Sequence, residues 1–426
     1  MHFTHHRLAR VMAFALSVAS AQTAQAQGSW HSFQPKGSPG AQEQDLLPNR
    51  APLVDDYLTR HATTDNGRQV ANVLNPAINR LLQSGKLTPE EIKKLEKVAE
   101  ALKQQPGGLG AALEQLAGSQ NANLAAATQN TTQQLSNQLL TILRTLPSDD
   151  DGHFWVQGLG NSATLDKQGG SAGLKQGTQG LMLGADWALD HAWRVGVMGA
   201  KTTSNLDAQR FSGDLDSWHL GGYAVHQDGP LALRLGAIYS DHAGQNKRSV
   251  HLLDYKEQLR GGYDAQSQTV FSELGYQLGS EDVSIEPFAG IGYQRYHREG
   301  FKEKGDLSAL NVGPQTQQNF NSTVGLRLAT VYRFDNRMSL TPHLGTGWKH
   351  LYGDIDSRVR QSYRVAPGLI DSFAINGTAL DRDSLSLSAG LDLALSPQHS
   401  VGLIYNGEAG TNSHSQGLTG QWQMRF

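Results

Sequence analysis

Cysteine is absent from this chain of 426 residues, so disulfide bonds and thiol catalysis are both excluded. No stretch after residue 26 approaches the roughly 20 consecutive apolar residues that a membrane helix needs. Positive and negative side chains also nearly balance, since the formal net charge is only −3. The balance gives no reason to expect nucleic acid as a partner.

The first residues have the layout of a signal peptide. Arg7 and Arg10 precede a short apolar segment at 11–20, and Ala24-Gln-Ala26 fits the small-x-small cleavage pattern. Residues 1–26 are therefore predicted to be removed on export. The next segment, 27–64, is polar with scattered proline and glycine, and little regular structure is expected there.

Helical patterns follow between residues 65 and 150. Thr88-Pro-Glu-Glu91 has the residues of a helix start, with a capping threonine, a proline in the first turn and a glutamate three residues on. A second helix is predicted from Ala111 to Leu146, and it carries no charge from Gln115 to Leu143. A polar but uncharged helix suits the inside of a wet, narrow tube. An ordinary helical hairpin with a neutral surface fits the pattern as well.

From His153 onward, apolar and polar residues alternate with the period of two that is typical of strands. The last nine residues, Leu418 to Phe426, show it clearly. Twelve strands are predicted, at 153–160, 178–189, 193–201, 217–227, 230–241, 267–278, 282–297, 319–333, 337–351, 383–395, 399–407 and 417–426.

The connections between these strands alternate strictly between short and long. Tight turns are predicted at 190–192, 228–229, 279–281, 334–336 and 396–398, and long loops at 161–177, 202–216, 242–266, 298–318, 352–382 and 408–416. This order is typical of a twelve-stranded antiparallel up-and-down membrane barrel, which hides its membrane content from a mean hydropathy of −0.44. The forty-seven glycines suit a closed, strongly bent sheet.

Several motifs, taken in this order, resemble those of autotransporters of the type V secretion pathway. The motifs are Asp65–Leu74 before the barrel, Ala112–Gly118 with the helix to Leu146, and then Phe154–Gln157, Pro287–Tyr293, Gly347–His350, Tyr405–Gly407 and the terminal Phe426. The resemblance implies a helical junction and pore-plug linker at 65–150, an autotransporter barrel domain at 151–426 and only a short passenger remnant at 27–64.

The same resemblance implies location and partners. It places the barrel in the outer membrane, in contact with its lipid, with the N-terminal segment at the cell surface. It implies the barrel-assembly machinery and periplasmic chaperones as partners, a monomeric barrel, and an assembly signal in the last strand at Leu418, Trp422, Met424 and Phe426. Some relatives cut their linker at paired asparagines. That motif is missing around Asn121, Asn123, Asn130 and Asn137, so self-cleavage is not predicted.

Catalytic strings in this sequence lack their structural context. Gly169-Gly-Ser-Ala-Gly173 matches G-x-S-x-G but is predicted in a loop rather than between a strand and a helix. Gly305-Asp-Leu-Ser308 has the wrong order for a lipase block. His414 and Ser415 are adjacent on a predicted strand, so their side chains should point to opposite faces.

No catalytic residue, cofactor site or metal site is therefore predicted. Asp149-Asp-Asp-Gly152 lacks the alternating spacing of a calcium loop and is expected to be a solvated link. Four charged residues should face the lumen and could pair there or contact the helix, namely Arg234, Glu273, Glu286 and Arg327. A porin-like channel, a barrel esterase or phospholipase, and adhesion through the large loops 242–266 and 352–382 remain as alternative functions.

Overall fold

The computed structural model describes residues 56–83, 107–146, 152–252, 255–280, 282–334, 337–364 and 370–426. Its helices in these ranges are α1 (Tyr57–His61), α2 (Asp65–Gln83), α3 (Gly108–Ala117) and α4 (Gln120–Thr145). None of these described helices has the combination of length and apolar character that would let it cross a bilayer. The signal peptide and the helix start at Thr88 lie outside the described residues.

Twelve long antiparallel strands form a closed barrel, which confirms the predicted fold class. They are β1 (His153–Leu165), β2 (Leu174–Ala188), β3 (Trp193–Ala208), β4 (Phe211–Asp228), β5 (Leu231–Leu252), β6 (Tyr255–Tyr276), β7 (Val283–Arg298), β8 (Gln315–Thr330), β9 (Ser339–Gly353), β10 (Asp383–Ala394), β11 (His399–Gly410) and β12 (Ser413–Arg425). The ring closes between β12 and β1, which pair from His153 with Arg425 to Leu165 with Ser413.

Side chains alternate across the barrel wall as predicted. On β2, Leu181 and Leu183 are exposed on the outer face, while Met182 and Asp186 are fully buried on the inner face. The same order holds on β5 and β10. Large apolar side chains therefore form a continuous outer belt, here called the lipid-facing band, and the polar residues face the interior.

The two barrel ends differ in their connections. At one end, here the turn end, the connections of β2–β3, β4–β5, β6–β7, β8–β9 and β10–β11 are short, as predicted. At the other end, the loop end, several predicted loops are wrong. Residues 202–216 and 242–266 are mostly strand, since β3 continues to Ala208 and β5 continues to Leu252. Residues 161–177 and 408–416 are likewise strand at both edges.

These loops were predicted wrongly because the apolar residues of a strand move from its outer face to its inner face above the lipid-facing band. Within the lipid-facing band the apolar residues of β5 point outward, as Leu231 and Tyr239 do. Above the band the apolar residues point inward, as Val250 and Leu252 do, and polar residues point to water. The pairing register and the buried inner face stay the same along β5, and only the apolar residues change sides, because helices rather than lipid provide the apolar contacts there.

A folded cap covers the loop end. It consists of α1–α3, the upper parts of β3–β6 and a four-stranded sheet made of Phe301–Lys302, Leu310–Val312, Arg358–Tyr363 and Phe373–Asn376. Its apolar core joins the helices to the loops, with Leu58, Ile78, Leu113, Leu116 and Leu259 all buried. The segment predicted to be poorly structured, 27–64, thus contributes α1 to this core; its residues before 56 lie outside the described ranges.

Candidate functional site: the helix in the barrel lumen

The predicted helix at 111–146 is two helices, because Gly118 adopts a left-handed φ of 58° between them. α3 ends in the cap at this elbow, and α4 then passes down the barrel lumen to the turn end. Most of α4 is buried although its middle is polar, with Thr128, Gln129 and Thr132 among the buried residues. This confirms the interpretation that the uncharged helix lies inside a narrow polar tube, rather than in an ordinary helical hairpin.

The polar residues of α4 meet polar residues of the wall. Gln176 on β2 donates a hydrogen bond to the Thr131 hydroxyl at 2.7 Å, and Gln294 on β7 donates to the Gln129 carbonyl at 3.1 Å. Buried polar groups are costly unless paired, so these contacts explain why the helix carries Gln, Asn and Thr there. Neutral partners hold the helix without buried charge over most of its length.

The loop end of α4 is fixed by two asparagines. Asn121 donates to Gln361 at 2.9 Å and accepts from Asn246 at 3.1 Å. Asn123 donates to the Ser171 hydroxyl at 2.9 Å and accepts from the Thr378 backbone N–H at 2.7 Å. Both side chains are fully buried, and each joins the helix to two separate loop-end segments.

A group of five charged residues fixes the turn end of α4. Arg144 forms two hydrogen bonds with the Glu273 carboxylate, at 3.2 and 2.7 Å. Arg234 and Arg327 each bond to both Glu273 and Glu286, at distances of 2.5 to 3.1 Å. We call this group the lumen charge cluster. Of the alternatives left open for the four wall residues, both pairing and contact with the helix are observed, since Glu273 also bonds Arg144.

Sequence reasoning missed Arg144 because it lies just beyond the uncharged stretch. It is nevertheless the single charged residue within α4, and that isolation is the signal that could have identified it. An arginine that ends an uncharged helix inside a tube needs a carboxylate partner on the wall, and the cluster supplies one.

A second buried network joins the helix end to the closing strands. Asp186 accepts from Arg194 at 2.6 Å and from the Tyr223 hydroxyl at 2.9 Å, and lies 3.0 Å from the His153 ring. Gln423 on β12 lies 3.3 Å from the other ring nitrogen of His153 and donates to Thr145 of α4 at 2.9 Å. Sequence analysis did not anticipate this network, because its members are distant in the chain.

Glycines on the inner wall make room for the helix. An alanine Cβ at Gly184 would lie 2.5 Å from the Trp155 ring, and one at Gly236 would lie 2.2 Å from the Phe271 ring. Each glycine is the register partner of its aromatic residue on the neighbouring strand. The ring therefore lies flat along the wall, an arrangement known from curved designed sheets, and leaves the lumen wide enough for α4.

α4 does not fill the lumen completely. A cavity of 160 Å³ lies beside Asn137 and is lined by polar and apolar wall residues. The charged lining residues include Lys349 and Glu408, which form an ion pair, and members of the lumen charge cluster. The unfilled side of the lumen is therefore narrow.

The candidate nucleophiles are not assembled into a site. Ser171 is fully buried and hydrogen-bonds Asn123 and Thr378. Ser308 is buried in the cap, where its backbone N–H donates to Glu257 at 2.9 Å. His414 is exposed and Ser415 is half-buried on alternate faces of β12, as predicted.

The predicted assembly-signal residues lie on the outer face of the last strand or at its end. Leu418 and Phe426 are exposed, while Trp422 stacks on the His399 ring with centroids 5.8 Å apart. The backbone groups of Phe426 form two hydrogen bonds with Gly152, at 2.9 and 3.0 Å, and so tie the C-terminus to the start of β1. Met424 is half-buried on the same outer face.

Comparison with known proteins agrees with this architecture. The chain is 29% identical over 325 residues to an extracellular serine protease of Serratia marcescens, which covers 74% of this chain and 31% of the relative. It is 23% identical over 274 residues to esterase EstA of Pseudomonas aeruginosa, covering 62% of this chain and 41% of the relative. The chain thus spans well under half the length of these curated relatives.

Among solved structures, the translocator domain of the autotransporter NalP from Neisseria meningitidis has the same fold, with a TM-score of 0.57 and 14% identity over 72% of this chain and 99% of that one. The autotransporter beta-domain model matches residues 154–406, which is more than half of the chain. The chain therefore belongs to the autotransporter beta-domain family, and its barrel is an outer-membrane translocator domain.

Proposed function

We propose that this barrel exports the N-terminal region of its own chain and that α4 remains in the lumen as a plug after export. The observation that carries the proposal is the path of α4, which is fixed to the cap by Asn121 and Asn123 and to the turn end by Arg144. The described helices before α4, α1–α3, then lie at the loop end, and β1 begins at the turn end.

The orientation supports export to the cell surface. In outer-membrane barrels the short turns face the periplasm and the larger connections face outward. With that orientation, α1–α3 lie outside the cell and the chain reaches them through the pore. The cap and plug are the exported and retained parts of one molecule, which works as a monomeric barrel.

The barrel needs no covalent chemistry in this proposal. A polar lumen offers hydrogen bonds to the backbone of a passing chain, and the charged residues of its wall are paired with one another. The buried hydrogen bonds of Ser171 support a structural role for that residue rather than a catalytic one. An open diffusion porin is disfavoured because α4 occupies the lumen.

Insertion of the barrel relies on general outer-membrane factors. We propose that Leu418, Trp422, Met424 and Phe426 present the last strand to the barrel-assembly machinery, with periplasmic chaperones acting earlier. Their outward position in a strand that must still pair with β1 supports this role. An unpaired edge is a ready template for strand addition.

Epitope tags at two positions test the direction of export. One tag is placed before residue 56 and a matched tag between Asp228 and Gly229 in the β4–β5 turn. On intact cells, antibody and protease should reach the first tag and not the second. Labelling of the second tag alone would overturn the proposal.

Deletion of residues 120–145 tests the plug separately. The purified deletion variant should form channels of clearly larger conductance in planar bilayers than the intact protein, because the polar lumen is emptied. Equal conductance of the two proteins would contradict a plugging role for α4, whatever the result with the tags.

A further inference from the structure

The outer face of the cap carries a group of exposed cations for which the export proposal has no use. The group, here called the basic face, consists of Lys247, Arg260, Lys302, Lys304, Arg358 and Arg360. These residues come from three separate loop-end connections. The fold therefore gathers on one surface what the sequence spreads over more than 110 residues.

The basic face is displayed by the upper part of the barrel sheet and by the four-stranded sheet, which meet at an isolated bridge. Lys247 on β5 pairs with Arg260 on β6, and Arg260 pairs in turn with Lys304. Next to Lys304, Lys302 pairs with Asn311, whose own strand pairs with the one that carries Arg360.

The other face of the same strands is buried. Arg248 lies there and bonds the Glu303 carboxylate at 3.1 and 2.7 Å, and the α3 carbonyl of Gln115 at 3.0 Å. Burial alone would lower the pKa of Arg248, but the neighbouring Glu303 outweighs it and raises this pKa. Arg248 is thus paired with a buried carboxylate, which distinguishes it from the outward cations.

None of the six cations forms an ion pair within 4.0 Å in the part of the chain that the structure describes. Arg360 has a hydroxyl partner, Ser372, at 3.3 Å. Acidic residues flank the face, with Asp264 and Glu299 toward the barrel and Asp306 and Asp356 next to its strands in sequence. They leave the cations unpaired.

Three like charges in register on neighbouring strands are unfavourable by themselves. Directly opposed side chains have Cβ atoms about 5 Å apart, and like charges at that spacing destabilise a sheet. Lys247 and Arg260 oppose each other on β5 and β6, and Lys304 opposes Arg260 in an isolated bridge. A bound polyanion would remove the repulsion and use all three cations together.

The height of the face decides which polyanion it fits. Tyr239 marks the top of the lipid-facing band on β5, and Lys247 follows eight residues later. At about 3.3 Å per residue and a tilt of about 40°, Lys247 stands roughly 20 Å above the band. Lipid headgroups extend only about 5 to 8 Å beyond the hydrocarbon, so lipid phosphates at the band edge do not reach it.

We propose that the basic face binds a linear anionic polysaccharide at the cell surface, with sulfate or carboxylate groups spaced along an extended chain. Nucleic acid is the less suitable polyanion, because the described residues place no exposed aromatic ring on this face for base stacking. Clusters of lysine and arginine are known from surfaces that bind either nucleic acid or heparin-like polysaccharides, and the missing aromatic rings favour the second class here.

Heparin is the probe for this proposal, used with the purified, detergent-solubilised full chain. The test variant combines Lys247→Gln, Arg260→Gln and Lys304→Gln. A matched control combines Arg60→Gln, Lys167→Gln and Lys175→Gln, which removes the same charge from exposed positions elsewhere. Resistance of the barrel to unfolding in cold detergent shows that both variants are folded.

The intact protein and the control should bind heparin with similar Kd, and the test variant should bind at least tenfold more weakly. The slope of log Kd against log salt should also fall by about two, because three cations no longer displace counterions. Equal losses in both variants, or no binding by the intact protein, would overturn the proposal. Tighter binding of single-stranded DNA than of heparin at equal salt would overturn the polysaccharide assignment. The assay uses purified protein, so its failure is separable from a failure of the export proposal.

Discussion

Arg144→Gln should loosen the turn end of α4 without unfolding the barrel. The change removes two charge-assisted hydrogen bonds to Glu273, whose side chain is only 4% exposed. The four wall residues keep their own pairing, two arginines with two glutamates, so no buried charge is left alone. The loss is therefore confined to the contact between helix and wall.

The free energy lost in this contact follows from the kind of hydrogen bond that is removed. Hydrogen bonds to charged groups contribute about 1.5 to 3 kcal/mol. Because Arg144 is 23% exposed on its side chain, solvent screening favours the lower part of that range, about 2 kcal/mol. At 1.4 kcal/mol per factor of ten, the equilibrium between seated and unseated helix end shifts roughly 30-fold.

Hydrogen exchange measured by mass spectrometry reports this shift directly. Amide protection in residues 141–146 should fall roughly 30-fold, while protection in the cap stays unchanged. Arg333→Gln is the matched control, because it removes an exposed ion pair with Asp282 whose partners are more than half exposed. Unchanged protection at 141–146 in Arg144→Gln would refute the view that the lumen charge cluster holds the helix.

Three further changes should give distinct results. Gly236→Ala should lower the free energy of unfolding by about 1 to 3 kcal/mol in urea titrations, because its Cβ would overlap an aromatic ring. Arg248→Met should cost about 3 to 5 kcal/mol, since Glu303 would be left buried and unpaired, and proteolysis of the cap should accelerate. Deletion of Phe426 should slow barrel assembly in cells and remove the two backbone bonds to the start of β1, as seen by loss of the heat-modifiable gel band.

Each of these changes has a result that would contradict its reasoning. Gly158→Ala is the control for Gly236, because a Cβ there meets nothing within 4 Å; equal losses in both would show that the ring contact is irrelevant. For Arg248→Met, an additional Glu303→Leu should restore part of the stability, and failure to do so would argue against an unpaired charge. Normal assembly rates without Phe426 would remove it from the assembly signal.

The sequence predicted the barrel well where lipid decides the pattern. Strands such as β2 and β10 place most of their large apolar residues on one face, and their period of two is visible without a structure. The lumen charges were predictable for the same reason, since Arg234 and Glu273 fall on the polar face of apolar strands. Their exact partners were not, because pairing depends on strand register around a closed ring.

The loop end escaped prediction because its surroundings change. Val250 and Leu259 are buried against helices that lie far away in sequence, so the apolar face switches sides where the strand leaves the membrane. A stretch of sequence that spans this change of face shows no regular alternation of apolar and polar residues, and it is therefore predicted as a loop. Asn121 and Asn123 escaped for a related reason, since an amide side chain gives no hint of the distant loops it bonds.

The shared interior of the cap limits how this protein could be adapted to present foreign polypeptides. Leu58, Leu113 and Leu116 belong to the same apolar core as residues from the upper parts of β3–β6. A fusion that replaced α1–α3 would uncover the upper parts of β3–β6 and expose their apolar side chains to water. Foreign sequence is therefore best attached ahead of residue 56, because such a fusion leaves the cap intact.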